Sequence, residues 1–271
     1  GTRMIPIDGQ TMREIAPSFS GEWAERQAKI IAAVGEVLRP TLEGYQIATR
    51  LRIAHFLAQT CHESAGFRTT EEFASGEAYE GRADLGNIRD GDGPRYKGRG
   101  LIMLTGRTNY REYGEALKAD LEGNPALAAE PVFSLRIACE YWGRHDINTP
   151  CDQDDVITVT RRVNGGLNGL PERRAYTAKA KTALARIEGF QLSGGTALQP
   201  HSVLRRGSTG DEVAVLQSLL RTLGFALAID GDFGPGTEVA VARFQSEQGL
   251  DADGIVGAQT WAALLSPQAE A

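Results

Sequence analysis

Apolar positions recur at three- and four-residue intervals over most of the chain, a helical rather than an alternating pattern. Glu22–Leu38 places Trp23, Gln27, Ile30, Ile31, Val34 and Leu38 at helical spacing. Pro40 is expected to stop that helix, because proline lacks the N–H and crowds the preceding turn. Tyr45–Cys61 carries Ile47, Leu51, Ala54, Ala58 and Cys61 on one face, with Ile53 and Leu57 beside it. Asn109–Lys118, Pro131–Trp142 and Arg173–Ile187 are further helical stretches, and Ser134 and Asp155 are candidate caps. No run alternates as a strand would; an irregular hairpin has room only in Glu71–Asn87. The expected fold class is mainly α.

The pattern breaks at Gln191–Ser202, which has Gly-Gly, Pro and Ser, no charge and no apolar period. Three regions follow: a larger domain over 4–190, a linker over 191–202 and a small domain over 203–267. The last holds an internal repeat. Asp230-Gly231-Asp232-Phe233-Gly234 and its trailing Thr237 recur as Asp253-Gly254-Ile255-Val256-Gly257 and Thr260. The glycines permit left-handed turns, and each threonine is placed to cap the helix that follows. Asp230 and Asp253 read as turn-formers rather than ligand contacts. With an earlier amphipathic stretch from Asp211 to Leu223, the region is expected to be a three-helix module.

Composition narrows the class. The 271 residues are 24% charged and 41% hydrophobic, ordinary for a folded globular chain and wrong for a disordered or collagenous one. No uncharged apolar run is long enough to span a bilayer, so no membrane insertion is expected. Gly1–Asp8 has no apolar core of the kind a secretory signal needs. The net charge of −6 argues against nucleic acid as a partner. Much of it lies between Val203 and Leu265, where Arg205, Arg206, Arg221 and Arg243 face eight carboxylates. Cys61, Cys139 and Cys151 have no metal-type spacing and are expected to be buried free thiols, with a Cys139–Cys151 bridge as the alternative.

Several chemistries drop out. His62-Glu63 lacks the second histidine of a zinc-protease helix, since position 66 is Gly. Asp90-Gly91-Asp92-Gly93 resembles the start of a calcium loop, but its twelfth position is Leu101. There is no phosphate-binding loop and no nucleophile elbow, and no metal or cofactor is called for. With four histidines in the chain, carboxylates are the better acid–base candidates. Glu63 follows an apolar helix and lies near Phe56, Phe67 and Phe73, surroundings that suit a general acid. Glu71, Glu72, Glu77 and Glu80 compete for the role of a second carboxylate, and spacing alone leaves the choice open. The glycine-rich run Tyr96–Tyr110 lets backbone approach a ligand closely; within it Thr105 and Asn109 share one helical face.

His62-Glu63-Ser64, Glu72, Gly91-Asp92-Gly93, Gly98-Arg99-Gly100, Leu104-Thr105-Gly106, Val163-Asn164-Gly165-Gly166 and Glu172-Arg173-Arg174 together resemble glycoside hydrolase family 19, in order and in spacing. The pattern is most similar to that of the family's phage lysins. The resemblance implies a two-lobed, lysozyme-like helical domain and an inverting mechanism, with Glu63 as general acid and Glu72 as general base. Two carboxyls of an inverting pair stand about 6.5–9.5 Å apart to admit a water. It further implies that Thr105 holds the water and that Asn109, Asn164, Arg174 and Tyr96 contact substrate. Met103 stands where the family often has Gln, which removes a hydrogen-bonding side chain from that subsite. From Leu204-Arg205-Arg206-Gly207-Ser208 through both Asp-Gly repeats, the small domain resembles the peptidoglycan-binding-1 domain.

The resemblances imply a monomeric endolysin of bacterial peptidoglycan. It would be made in a host cytoplasm without a signal peptide and reach the wall through a membrane pore. A chitinase and a catalytically silent wall-binding protein are the alternatives; retention of both Glu63 and Glu72 argues against the latter.

Overall fold

The computed structural model describes residues 4–193 and 201–265. Its larger compact unit covers Ile7–Lys181, and the second consists of Met4–Pro6 with the chain from Thr182 onward. The helices are α1 (Gly9–Ile15), α2 (Gly21–Gly44), α3 (Arg50–Glu63), α4 (Asp92–Arg95), α5 (Arg107–Leu117), α6 (Pro131–Arg144), α7 (Asn148–Asp152), α8 (Val156–Asn164) and α9 (Leu170–Ser193). The small module contributes α10 (Asp211–Thr222), α11 (Pro235–Glu247) and α12 (Ala258–Leu265). The mainly-α class is what the structure has; extended pairing among the described residues is limited to isolated bridges.

In the larger unit α3 is the central rod. Ile53 through Cys61 are all buried, and the helix packs on α1, α7 and α8, while α2 packs on α6. Thr49 caps α3 by accepting from the Arg52 N–H, so the helix begins later than its apolar period suggests. Gln46, at φ +62°, reverses the chain ahead of it. Pro40 does not end α2, which runs on to Gly44. An interior proline costs about 3 kcal/mol. Leu38 and Leu42 on either side of it are both fully buried, and each such side chain returns about 1.5–3 kcal/mol. Asp155 caps α8 as expected, but Ser134 lies inside α6, where Glu130 supplies the cap. All three cysteines are buried and free, with no Cys139–Cys151 bridge.

Glu71–Asn87 does not fold back on itself as a hairpin. Glu71 instead bridges to Arg99, and Arg99 to Leu104, while two short 3-10 turns fill the rest of the segment. Helix α9 continues to Ser193, so the first residues of the expected linker are helical; its residues 194–200 lie outside the described residues. The unit break falls inside α9, ahead of residue 190.

The module around α10–α12 is built on its repeat. Gln217 donates to Asp230 Oδ1, the Asp232 carbonyl and Thr237 Oγ1, and accepts from the N–H groups of Asp230 and Gly231. Gln245 does the same one repeat later, donating to Asp253 Oδ1, the Ile255 carbonyl and Thr260 Oγ1 and accepting from the Gly254 N–H. Each buried amide thus clamps one Asp-Gly loop. Thr237 and Thr260 serve the clamp and do not cap helices; Gly234 occupies the N-cap of α11. Asp230 and Asp253 each close their own turn by accepting from the N–H two residues on.

Candidate active site

Two polar clusters meet the ends of one turn of chain, 64–71. The first surrounds Glu63, the last residue of α3. Its Oε1 accepts from Arg173 Nη2 at 2.7 Å; the arginine side chain is 1% exposed and the glutamate's 16%. The other end of the guanidinium donates to Gln59 Oε1 at 2.5 Å, and Gln59 donates to Thr160 Oγ1 at 3.2 Å. Arg173 Nε holds the Asn168 carbonyl at 2.9 Å. The fork therefore fixes Glu63 on one side and the loop after α8 on the other. His62 reaches the same loop. Its Nε2 lies 3.2 Å from Glu172, and burial together with the Arg173 charge pushes its imidazole below the ordinary value. Gly169 has φ +73°, and a Cβ there would stand 2.3 Å from His62 Nε2. Tyr141 donates to the Arg162 carbonyl at 2.6 Å. Burial, with the Glu63 charge adding, raises its phenol to about 12.

The second cluster surrounds Glu72. Main-chain bonds from Glu72 N to the Gly98 carbonyl (2.9 Å) and from Gly100 N to the Thr70 carbonyl (2.7 Å) lay this segment along the glycine-rich loop. The Glu72 carboxylate accepts from Gly98 N at 2.8 Å and from the Tyr79 hydroxyl at 3.0 Å. A Cβ on Gly98 would lie 3.3 Å from the Glu72 carboxyl carbon and 3.4 Å from Thr105 Oγ1. Carboxylate and hydroxyl thus flank one bare patch of backbone, where only hydrogen fits comfortably. Thr105 does not cap α5; its hydroxyl donates to the Met103 carbonyl at 2.9 Å, and its lone pairs stay available. Asn109 Nδ2 donates to the Thr105 carbonyl at 2.8 Å.

The competing glutamates have other work. Glu71 pairs with Lys97 Nζ at 2.9 Å. Glu80 accepts from Gly91 N and Gly93 N, both at 2.8 Å, which fixes the loop before α4. Glu77 lies exposed on a 3-10 turn. Of the four, Glu72 is the one beside Thr105.

Other expected contacts fall elsewhere. Tyr96 is 1% exposed, donates to the Glu122 carbonyl at 2.7 Å and packs edge-on against Tyr110. It cannot touch substrate; it backs the loop that carries Gly98. Arg174 is exposed on the outer side of α9, and its neighbour Arg173 is the residue that turns inward. One helical position is a rotation of about 100°, which separates the two completely. Asn164 is exposed at the end of α8, next to the carbonyls that Tyr141 holds. Tyr79, Gln59 and Tyr141 lay outside the sequence reading. Only burial periodicity along α3 marked Gln59, and nothing in the local pattern marked Tyr79.

With this geometry in hand, relatives can be placed. The chitinase class I model of glycoside hydrolase family 19 matches residues 27–164, half of the chain. The chain belongs to that family, and its larger unit is a glycoside hydrolase domain of the chitinase type. A peptidoglycan binding domain model matches residues 209–264. A glycosyl hydrolase family 19 domain-containing protein of Haemophilus influenzae is 29% identical over 174 residues, 53% of this chain and 85% of that protein. Acidic endochitinase Q of Nicotiana tabacum is 34% identical over 116 residues, 42% of this chain and 43% of that protein. The zinc D-Ala-D-Ala carboxypeptidase of Streptomyces albus G is 42% identical over 114 residues, 39% of this chain and 41% of that protein. The chain spans less than half the length of the last two.

Proposed function

We propose that the protein is a modular endolysin that hydrolyses β-1,4 glycosidic bonds of bacterial peptidoglycan with inversion. The observation that carries this is the union, in one chain, of a family 19 site retaining Glu63 and Glu72 with a peptidoglycan-binding module. Glu63 gives its proton to the glycosidic oxygen as the bond to the anomeric carbon breaks. On the opposite face Glu72 takes a proton from a water whose oxygen bonds to that carbon. Thr105, beside Glu72, holds the water. Asn109 and Asn164 line the path of the sugar, and Arg173 orients Glu63 in place of the expected Arg174. No cofactor takes part.

The module raises the local concentration of wall substrate without adding a contact in the cleft. The protein acts as a monomer, is made in a host cytoplasm and reaches the wall through a membrane pore. Among the described residues no helix is long and apolar enough to cross a membrane. Chitin is the second substrate to consider, because plant relatives are named endochitinases. Zymograms on purified peptidoglycan and on chitin separate the two. Clearing of peptidoglycan is the expected result, and clearing of chitin alone would overturn the reading.

A further inference from the structure

The turn between the two carboxylates carries a third cluster that hydrolysis itself does not use. Gln27 of α2 donates to the carbonyls of Pro17 (2.9 Å) and Gly66 (2.8 Å), which pins the start of α2 to this turn. The Arg68 guanidinium carbon then lies 4.6 Å from the ring centres of Phe19 and Trp23 and 5.6 Å from that of Phe73. Trp23 and Phe73 meet edge to face at 5.5 Å. Phe73 is 62% exposed and Trp23 37%, large apolar rings left at the surface. Phe73 directly follows Glu72, and Arg68 also acts on the Tyr176 phenol of α9, one turn beyond Arg173. The cluster therefore borders both halves of the candidate active site.

Arg68 is half-buried, and its Nε is shut off from water without a hydrogen-bond partner. No ion pair to it occurs among the described residues. The nearby carboxylates are already engaged: Glu22 with Arg26, Glu71 with Lys97 and Glu172 with His62. Arg26 in turn sits 5.2 Å from the Trp23 ring centre. The rings occupy the faces of the Arg68 guanidinium. Its in-plane N–H groups, which form the fork that matches a carboxylate, are left without a protein acceptor.

We propose that Arg68, framed by Trp23 and Phe73, binds a carboxylate of the peptide stems that hang from peptidoglycan strands, while the two rings stack on the adjoining sugar. This rests on the reading of the protein as a peptidoglycan hydrolase and names the part of the substrate that its cleft edge selects. Chitin carries the same type of backbone but no carboxylate, so the cluster is a specificity determinant between the two polymers. A guanidinium–carboxylate pair between flanking rings is stronger than one in open water, because both charge and stacking contribute.

The test uses the full chain and two soluble substrates: glycan strands with their stems intact, and the same strands stripped of stems by an amidase. For Arg68→Gln, KM on stem-bearing strands should rise about tenfold, with kcat changed by less than about twofold. Kinetics on stripped strands should match the parent. Added salt should raise the parent's KM on stem-bearing strands only, and Arg68→Gln should abolish that response. Phe73→Ala, at an exposed position that folding does not need, should raise the same KM by about threefold. An equal loss on both substrates would show that Arg68 merely holds the turn, and would overturn the proposal. No change on either substrate would overturn it as well. A parent protein that cleaves neither kind of strand would overturn the hydrolase reading itself, and this proposal with it.

Discussion

Replacing Arg173 by Gln should cripple both the fold and the reaction, whereas Arg174→Gln should do almost nothing. Arg173 is 1% exposed and makes charge-assisted bonds to Glu63 at 2.7 Å and to Gln59 at 2.5 Å. Its Nε also anchors the Asn168 carbonyl. Removing one partner of a buried ion pair typically costs about 3–5 kcal/mol, because the other charge is stranded. Glu63 is 16% exposed, so solvent relieves only part of this. For a domain of this size each kcal/mol lowers the melting temperature by about 2–4 °C. Arg173→Gln should therefore melt about 10 °C early. Lysis should fall at least about a hundredfold, since the acid loses its orientation. Arg174 is exposed and should stay within about 0.5 kcal/mol of the parent. Calorimetry and turbidity loss of wall suspensions read both effects. Equal melting shifts for the two variants, or a fully active Arg173→Gln, would refute the assignment.

The remaining expectations are sharper in direction than in size. Glu63→Gln and Glu72→Gln should each lower lysis by about 10²–10⁴, while Glu71→Gln, whose carboxylate faces Lys97, should keep most activity in the same turbidity assay. Thr105→Ala should fall between these, because a second water can partly replace a positioning hydroxyl. Burial pushes the fully buried His55 imidazole below its ordinary 6.5. It must stay neutral when folded but can charge when unfolded, so its contribution to stability is present above about pH 6.5 and is lost as pH falls through the folded value. Melting measured against pH should show that loss, and His55→Gln should flatten it. Gln217→Leu should strand the N–H groups of Asp230 and Gly231 at a cost of about 1–3 kcal/mol; the melting of the small module should drop and binding to sacculi weaken, with hydrolysis of soluble strands unchanged.

Much of the helical framework was legible because burial imposes a period on the sequence. The stripe in α2 and the apolar face of α3 could be read directly, and so could the doubled Asp-Gly unit of the small module. Pro40 misled because a local cost of a few kcal/mol was outweighed by burial of Leu38 and Leu42, and that burial is a tertiary fact. Glu71–Asn87 misled because its partner strand, Gly98–Leu104, lies far along the chain. In the site, Glu63 and the Glu72–Thr105–Asn109 group came from a motif read in order. The error between Arg173 and Arg174 has a simple origin. Two adjacent arginines on a helix look alike in sequence, and only the direction of the buried face distinguishes them. Tyr96 was misplaced for the opposite reason. A tyrosine beside a glycine-rich loop looks like a sugar platform until its hydroxyl is found bonded to the Glu122 carbonyl. Gln217 and Gln245 went unremarked as clamps, since a buried amide gives no periodic signal.

The central claim is that Glu63 and Glu72 cleave peptidoglycan strands with inversion. Time-resolved proton NMR of soluble strands at the first turnover tests it directly. The account predicts that a β-1,4 bond yields the α-anomer as the first new reducing end, and that Glu63→Gln yields none. Appearance of the β-anomer first, or of no new reducing end from the parent protein, would contradict it.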